Sequence, residues 1–353
     1  MSRRFKISTA AGLCLLGFIV LCRYSRPAAD FYSLRIYPAV SAVLSFISSA
    51  VPFSLGDVTI ATLIAVLITI IILAVKRKWG WKKSLSRVFS LALWTFVWFY
   101  MGWCVNYSRS SIFMRAGKAP AAYEAEAFKA FLSGYTDCLN ATYADAAEQP
   151  AASDESTVEA EIKEFFGRVP AEYGLCSPKS YQHVKPMLLN WLQTSVGVTG
   201  YEGPLFAEFH LNSNLKNGTL RSEYPFTFAH EYSHLMGVSS EAEANWWAYC
   251  ACRASGIPDI RYSAYFSILA HVWNNASRVL QDDEFEAWRA SLRPEVVDQL
   301  RSVQQFWRDS RNKTLDKVQS AVYDAFLKGN NISSGMANYS EVISIIMTLD
   351  EQD

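Results

Sequence analysis

The stretch His230-Glu231-Tyr232-Ser233-His234 sets two imidazoles and a carboxylate at the spacing a zinc hydrolase uses. On an α-helix residues i and i+4 share a face, so His230 and His234 can ligate one ion. Glu231 projects beside that face, where it can hold and deprotonate an attacking water. Five residues alone are a weak signal, and the surroundings sharpen it. Thr227 and Phe228 precede, Leu235 and Met236 follow, and no Lys, Arg or Asp interrupts the run. Gly237 then ends the predicted helix, because glycine tolerates the left-handed conformation past a C-terminus.

Val238-Ser239-Ser240 reads as a turn, with Ser239 or Ser240 capping a second helix from Glu241. When two ligands are His, a carboxylate on a helix folded back against the first is the usual third. Glu241 is favoured and Glu243 is the alternative. Asn245 shares a face with Glu241 and can steady the ligands from behind. The expected set is therefore Zn2+ held by His230, His234 and Glu241, with Glu231 catalytic. As plain structure, the same glutamates would simply favour a helix N-terminus.

Charge is unevenly spread. Residues 1–115 hold 14 Lys/Arg against Asp30 and Asp57, leaving 19 Lys/Arg against 31 Asp/Glu in the remainder, a net −12. An acidic remainder argues against nucleic acid as a partner. The basic part is also apolar. Ile7 to Cys22, Val58 to Val75 and Leu85 to Val105 read as three membrane spans, the first uncleaved. Phe31 to Phe53 is apolar but broken by Pro38 and Pro52, and reads as an interfacial or re-entrant segment. Lys76–Arg87 holds six Lys/Arg and the first six residues hold three, which places both in the cytoplasm. Three spans then put everything after about Asn106 outside. The division is a membrane domain over 1–106 and an extracytoplasmic domain over 107–353, with the bilayer and an extracytoplasmic peptide or protein as partners.

Within the second domain, helices are expected from Tyr123 to Ala146, up to Arg168, from Asp259, and over about 294–311, 315–328 and 339–349. A strand around Leu205 to Leu211 is the candidate cleft edge for an extended substrate. His210 on it reads as a cleft-wall or surface residue. Tyr262 and His271 are candidate oxyanion donors. Seven Cys are too scattered for a disulfide framework; Cys250 and Cys252 read as core.

Several segments occur together: Pro52-Phe53-Ser54-Leu55-Gly56-Asp57, Gly197-Val198-Thr199-Gly200, Ala229 to Gly237, Glu241-Ala242-Glu243-Ala244-Asn245, Arg261-Tyr262-Ser263 and Ser334-Gly335-Met336-Ala337-Asn338-Tyr339-Ser340. The set resembles a bacterial family of multi-span membrane proteins of unknown function regarded as zincin-type metallopeptidases. Glu241-x-x-x-Asn245 also resembles the Glu-x-x-x-Asp third-ligand motif of prenyl-protein peptidases, with Asn for Asp and a shorter spacing from His234. The resemblance implies a mainly α fold, with N-terminal transmembrane helices followed by a mostly helical zincin-like domain and a small β element.

A membrane-anchored zinc metallopeptidase is the leading reading. The runner-up is a non-catalytic membrane protein with a structural zinc or a partner-binding role, which has no need of Glu231. Arg221 and Glu223 before the motif and Glu241 after it leave no apolar window long enough for an intramembrane site.

Overall fold

The computed structural model describes residues 3–120, 124–149, 151–330 and 341–350. The segment Ser334 to Ser340, Tyr123 and the start of the helix expected from 339 lie outside the described residues. The chain is mostly helical with one small sheet. The helices of the N-terminal part are α1 (Arg3–Tyr24), α2 (Arg26–Ser49), α3 (Leu55–Val75) and α4 (Trp81–Gly102). The longer helices that follow are α5 (Ala125–Ala147), α6 (Glu155–Arg168), α7 (Tyr224–Leu235), α8 (Glu241–Arg253), α9 (Pro258–Val279), α10 (Asp282–Ser291), α11 (Pro294–Ser310), α12 (Lys313–Gly329) and α13 (Val342–Leu349).

All four N-terminal helices are long and apolar enough to cross a membrane, where the sequence suggested three. The additional one is α2. Its prolines do not break it, because each falls where the helix can spare a donor. Pro27 lies in the first turn, and Pro38 follows a π-helical turn over Tyr32–Ile36. The contacts of α2 distinguish it from the others. Asp30 accepts from Ser110, Ser33 donates to Asn106 at 2.8 Å, Tyr181 donates to the Ala42 carbonyl at 3.1 Å, and Lys185 donates to the Ser48 carbonyl. Its Ser41, Ser45 and Ser48 are buried, while Phe31, Leu34, Val43, Phe46 and Ile47 are exposed. The helix thus lies along the second part of the chain with its small polar face inward.

The sheet runs β1-β3-β2, with β1 (Lys185–Pro186) parallel and β2 (Gly200–Gly203) antiparallel to β3 (Glu208–Leu211). The strand expected at Leu205 to Leu211 is therefore the shorter β3, and it is central. The edge that meets Glu231 of α7 belongs to β2, too short and glycine-rich to carry a strand signal. Also unforeseen was α10, whose capping box of Gln281 and Glu284 opens a short, strongly charged helix. The main core joins α5 to α9, α11 and the sheet; a smaller core joins α1, α2 and α4 with Leu327 of α12.

Glu208 ties the two parts together. It accepts from Ser54 Oγ at 2.9 Å and Gly56 N at 2.7 Å at the N-terminus of α3, and from Lys185 Nζ at 3.0 Å. Burial opposes its charge, and His210, the Gly56 amide and Lys185 overrule that and hold it down to about 2. This stabilisation is complete above the ordinary carboxylate value near 4.5 and is lost as pH falls toward 2. Glu208→Ala leaves Lys185 buried without its counter-charge. The expected cost is about 3–5 kcal/mol, read as a lower unfolding midpoint in detergent. An unchanged midpoint contradicts the anchoring role.

Candidate metal centre

Every residue of α7 is buried, so the helix is held on all sides. Phe228 and Tyr232, one turn apart, pack edge-on against Phe209 of β3 with ring centroids at 5.3 and 5.5 Å. That fixes the rotation of α7 and turns His230 and His234 toward α8. The reversal between them is tight. Gly237 takes φ +98°, Val238 N donates to the Ser233 carbonyl at 3.2 Å, and Ser240 Oγ accepts from Glu243 N at 3.4 Å to start α8. Arg109 donates to the Gly237 carbonyl at 3.1 Å and the Gly174 carbonyl at 2.9 Å, pinning the turn from outside.

The turn brings His230, His234 and Glu241 together, with their ligand atoms within 4.8 Å of one another. His230 Nε2 lies 3.1 Å from Glu241 Oε2 and 3.2 Å from His234 Nε2, and His234 Nε2 lies 3.4 Å from Glu241 Oε2. His234 Nδ1 faces the Val238 carbonyl at 2.7 Å, an acceptor only, so Nδ1 carries a proton and Nε2 is the atom turned inward. Tetrahedral zinc with ligands at about 2.0–2.2 Å spaces them roughly 3.3–3.6 Å apart. The 3.4 Å edge falls in that range and the 3.1 and 3.2 Å edges just below it, and the nitrogen and oxygen donors are ones a divalent ion such as zinc accepts.

Around the triangle the charges are strongly coupled. Burial disfavours a charge on His234, yet Glu241 and Glu231 overrule it and lift its pKa up to about 10. Burial likewise works against the Glu241 carboxylate, and His234 and His230 hold it well below the usual range. Glu231 is pushed up, by burial first and by Glu241 in addition, with both imidazoles opposing. Burial takes His271 down to about 4, with His230 pushing the same way, so it is a neutral neighbour of the site.

Three further residues complete the surroundings, none of them marked by the motif. Tyr323 of α12 donates to Glu241 Oε1 at 2.6 Å, leaving Oε2 for the triangle. The Trp103 ring stands edge-on to His234 at 6.1 Å. Gly200 of β2 backs onto Glu231 so closely that a Cβ there would lie 2.6 Å from the Glu231 Cγ and Oε1 atoms. A glycine is required at that strand position.

The remaining sequence candidates fall elsewhere. Glu243 is committed to a buried ion pair with Arg115 and accepts from Trp247 Nε1 at 3.1 Å, which leaves Glu241 as the carboxylate of the triangle. His210 is not a surface residue. It is fully buried, stacked on Tyr201 at 4.5 Å, with Nε2 3.7 Å from Glu208, and it takes no part in the triangle. The cause is its central strand, where both faces are covered. Tyr262 donates to Gln299 at 2.7 Å and lines a cavity of about 610 Å³ with Tyr143, Arg221 and Asp259, a cavity that none of the triangle residues lines. Of the two oxyanion candidates, His271 is the one beside the site.

Glu241→Ala is expected to lower zinc affinity by well over 10-fold, since it removes one of three ligands. Glu243→Ala should leave affinity within a few-fold and instead lower thermal stability by freeing Arg115 inside the protein. Isothermal titration with zinc and a thermal melt separate the two. The reverse ranking contradicts the assignment.

No curated protein and no solved structure shows a significant match to the chain. The family described as "Protein of unknown function (DUF3810)" matches residues 32–347, which takes in α3 and α4, the sheet and the whole histidine–glutamate site. A match over that much of its length makes the chain a member of the DUF3810 family.

Proposed function

We propose that the protein is a membrane-anchored zinc metallopeptidase that hydrolyses peptide bonds of substrates outside the cytoplasm. The observation that carries the reading is the triangle of His230, His234 and Glu241 atoms at 3.1–3.4 Å with Glu231 on the same helix. His230, His234 and Glu241 would hold the ion, and Tyr323 fixes the orientation of Glu241 through its second oxygen. Zinc held there would supply Lewis acidity and would acidify the attacking water. Glu231 lies about 100° round the helix from His230, so its carboxylate stands beside the ligands and not among them. It takes the proton from the attacking water and passes it to the leaving amine. The raised affinity of Glu231 for protons, caused first by burial, suits a group that must accept one and give it up. β2, at the edge of the sheet beside Glu231, offers its backbone to an extended substrate.

Glu231→Gln keeps the shape and removes the proton acceptor. The variant should retain zinc and fold, and lose on the order of 10²–10⁴ in hydrolysis rate. Undiminished cleavage rules out Glu231 as general base. Absence of cleavage by the wild type across a broad peptide library favours a structural zinc.

We infer further that α1, α3 and α4 cross the membrane while α2 lies in its surface on the side of the metal centre. A crossing helix would meet the second domain at one end, whereas α2 is bonded to it from Asp30 to Ser48. The Ser54–Gly56 end of α3 and the Trp98–Gly102 end of α4 adjoin the sheet, through Glu208 and the Leu205 carbonyl. The basic stretch Lys76–Arg87 then lies about 30 Å away, one helix length, on the cytoplasmic side. A reporter fused at Lys82 should behave as cytoplasmic and one at the C-terminus as extracytoplasmic. A cytoplasmic C-terminal reporter overturns this orientation.

A further inference from the structure

Along β2 the side chains of Gly200 and Glu202 share a face, because strand side chains alternate. At Gly200 that face meets the Glu231 side chain. Glu202 therefore lies on the same face as the Glu231 approach, about 6.8 Å further along the strand, toward the N-terminal helices. His234, Glu231 and Glu208 are its charged neighbours. Glu208 is already saturated by Ser54, Gly56 and Lys185, whereas both Glu202 oxygens are buried without a hydrogen-bond partner among the described residues. A buried carboxyl left unmatched is costly and persists where something else repays it. Its natural complement is a cationic donor brought by a ligand.

Beyond Glu202 the strand is covered by α4. The β2–β3 turn sits on α4, with Trp98 Nε1 donating to the Leu205 carbonyl at 2.8 Å and the Pro204 carbonyl against Gly102. An extended chain lying along β2 thus ends near Glu202. At about 3.4 Å per residue, its end lies about two residues from the level of Glu231.

We propose that Glu202 binds a primary ammonium of the substrate, the free amino terminus of a peptide, so that one or two residues are released from the amino end. This rests on the peptidase reading above. The test uses full-length, zinc-loaded Glu231→Gln protein in detergent, so that binding is measured without turnover. Three ligands are titrated calorimetrically: a tripeptide with a free amino terminus, its deamino analogue, and a deamino analogue with Lys first. The free-amine peptide should bind on the order of 10²-fold tighter than the deamino analogue, the scale for losing a buried charged partner. Adding Glu202→Gln should bring the ratio near one with zinc content unchanged, and Glu202→Asp should retain part of the preference. Tight binding of the Lys analogue keeps the ammonium site and assigns it to a side chain. Equal binding of all three ligands, a preference that survives Glu202→Gln, or loss of zinc in that variant overturns the inference. Wild-type hydrolysis measured alongside separates the two claims. Hydrolysis without ammonium preference sinks only the Glu202 site, and preference without hydrolysis sinks only the peptidase reading.

Discussion

Three potential electron-pair donors, His230 Nε2, His234 Nε2 and Glu241 Oε2, are held 3.1–3.4 Å apart inside the protein. Burial disfavours the Glu241 carboxylate and the two imidazoles hold it charged, so the three groups are strongly coupled. Much of the surrounding structure keeps that arrangement in place. The Phe209 contact sets the rotation of α7, Gly237 reverses the chain, Arg109 clamps the turn, Ser240 starts α8, and Tyr323 orients the carboxylate. The Arg115–Glu243 pair removes the rival carboxylate from contention.

The same triangle is built against the N-terminal apolar helices. Trp103, just past the end of α4, packs edge-on to His234, and the aromatic ring of Tyr37 on α2 lies against Gly237. Glu208 joins β3 to the N-terminus of α3, where its negative charge also suits the helix dipole. The histidine–glutamate triangle therefore lies close to the ends of the apolar helices. Beside it α2 exposes Phe31, Leu34, Val43, Phe46 and Ile47, an apolar face compatible with membrane association.

The sequence was most legible where short-range geometry decides. The i, i+4 histidines, the glycine stop at Gly237, the serine cap and Glu241 all lie within twelve residues, and local helix rules place them correctly relative to one another. Three long apolar helices were readable because membrane-length runs are unambiguous. What could not be read depends on contacts distant in sequence. Tyr323 meets Glu241 across 82 positions, and no spacing rule links them. Gly200 is needed because Glu231 approaches it, and Glu202 matters because nothing pairs with it; neither fact has a local signature. His210 reads as a cleft-wall or surface residue because one strand of a three-stranded sheet cannot reveal that it is the middle one. In α2 the prolines suggested interruption, and the π-helical turn that accommodates Pro38 is invisible to periodicity.

X-ray absorption spectroscopy of the zinc-loaded full-length protein tests the central claim most directly. The account predicts a nitrogen and oxygen shell at about 2.0–2.2 Å, with the outer-shell scattering of two imidazoles and no sulfur. His234→Ala should reduce the imidazole contribution to one or abolish binding. A shell at about 2.3 Å from sulfur, or one without imidazole scattering, would contradict the site.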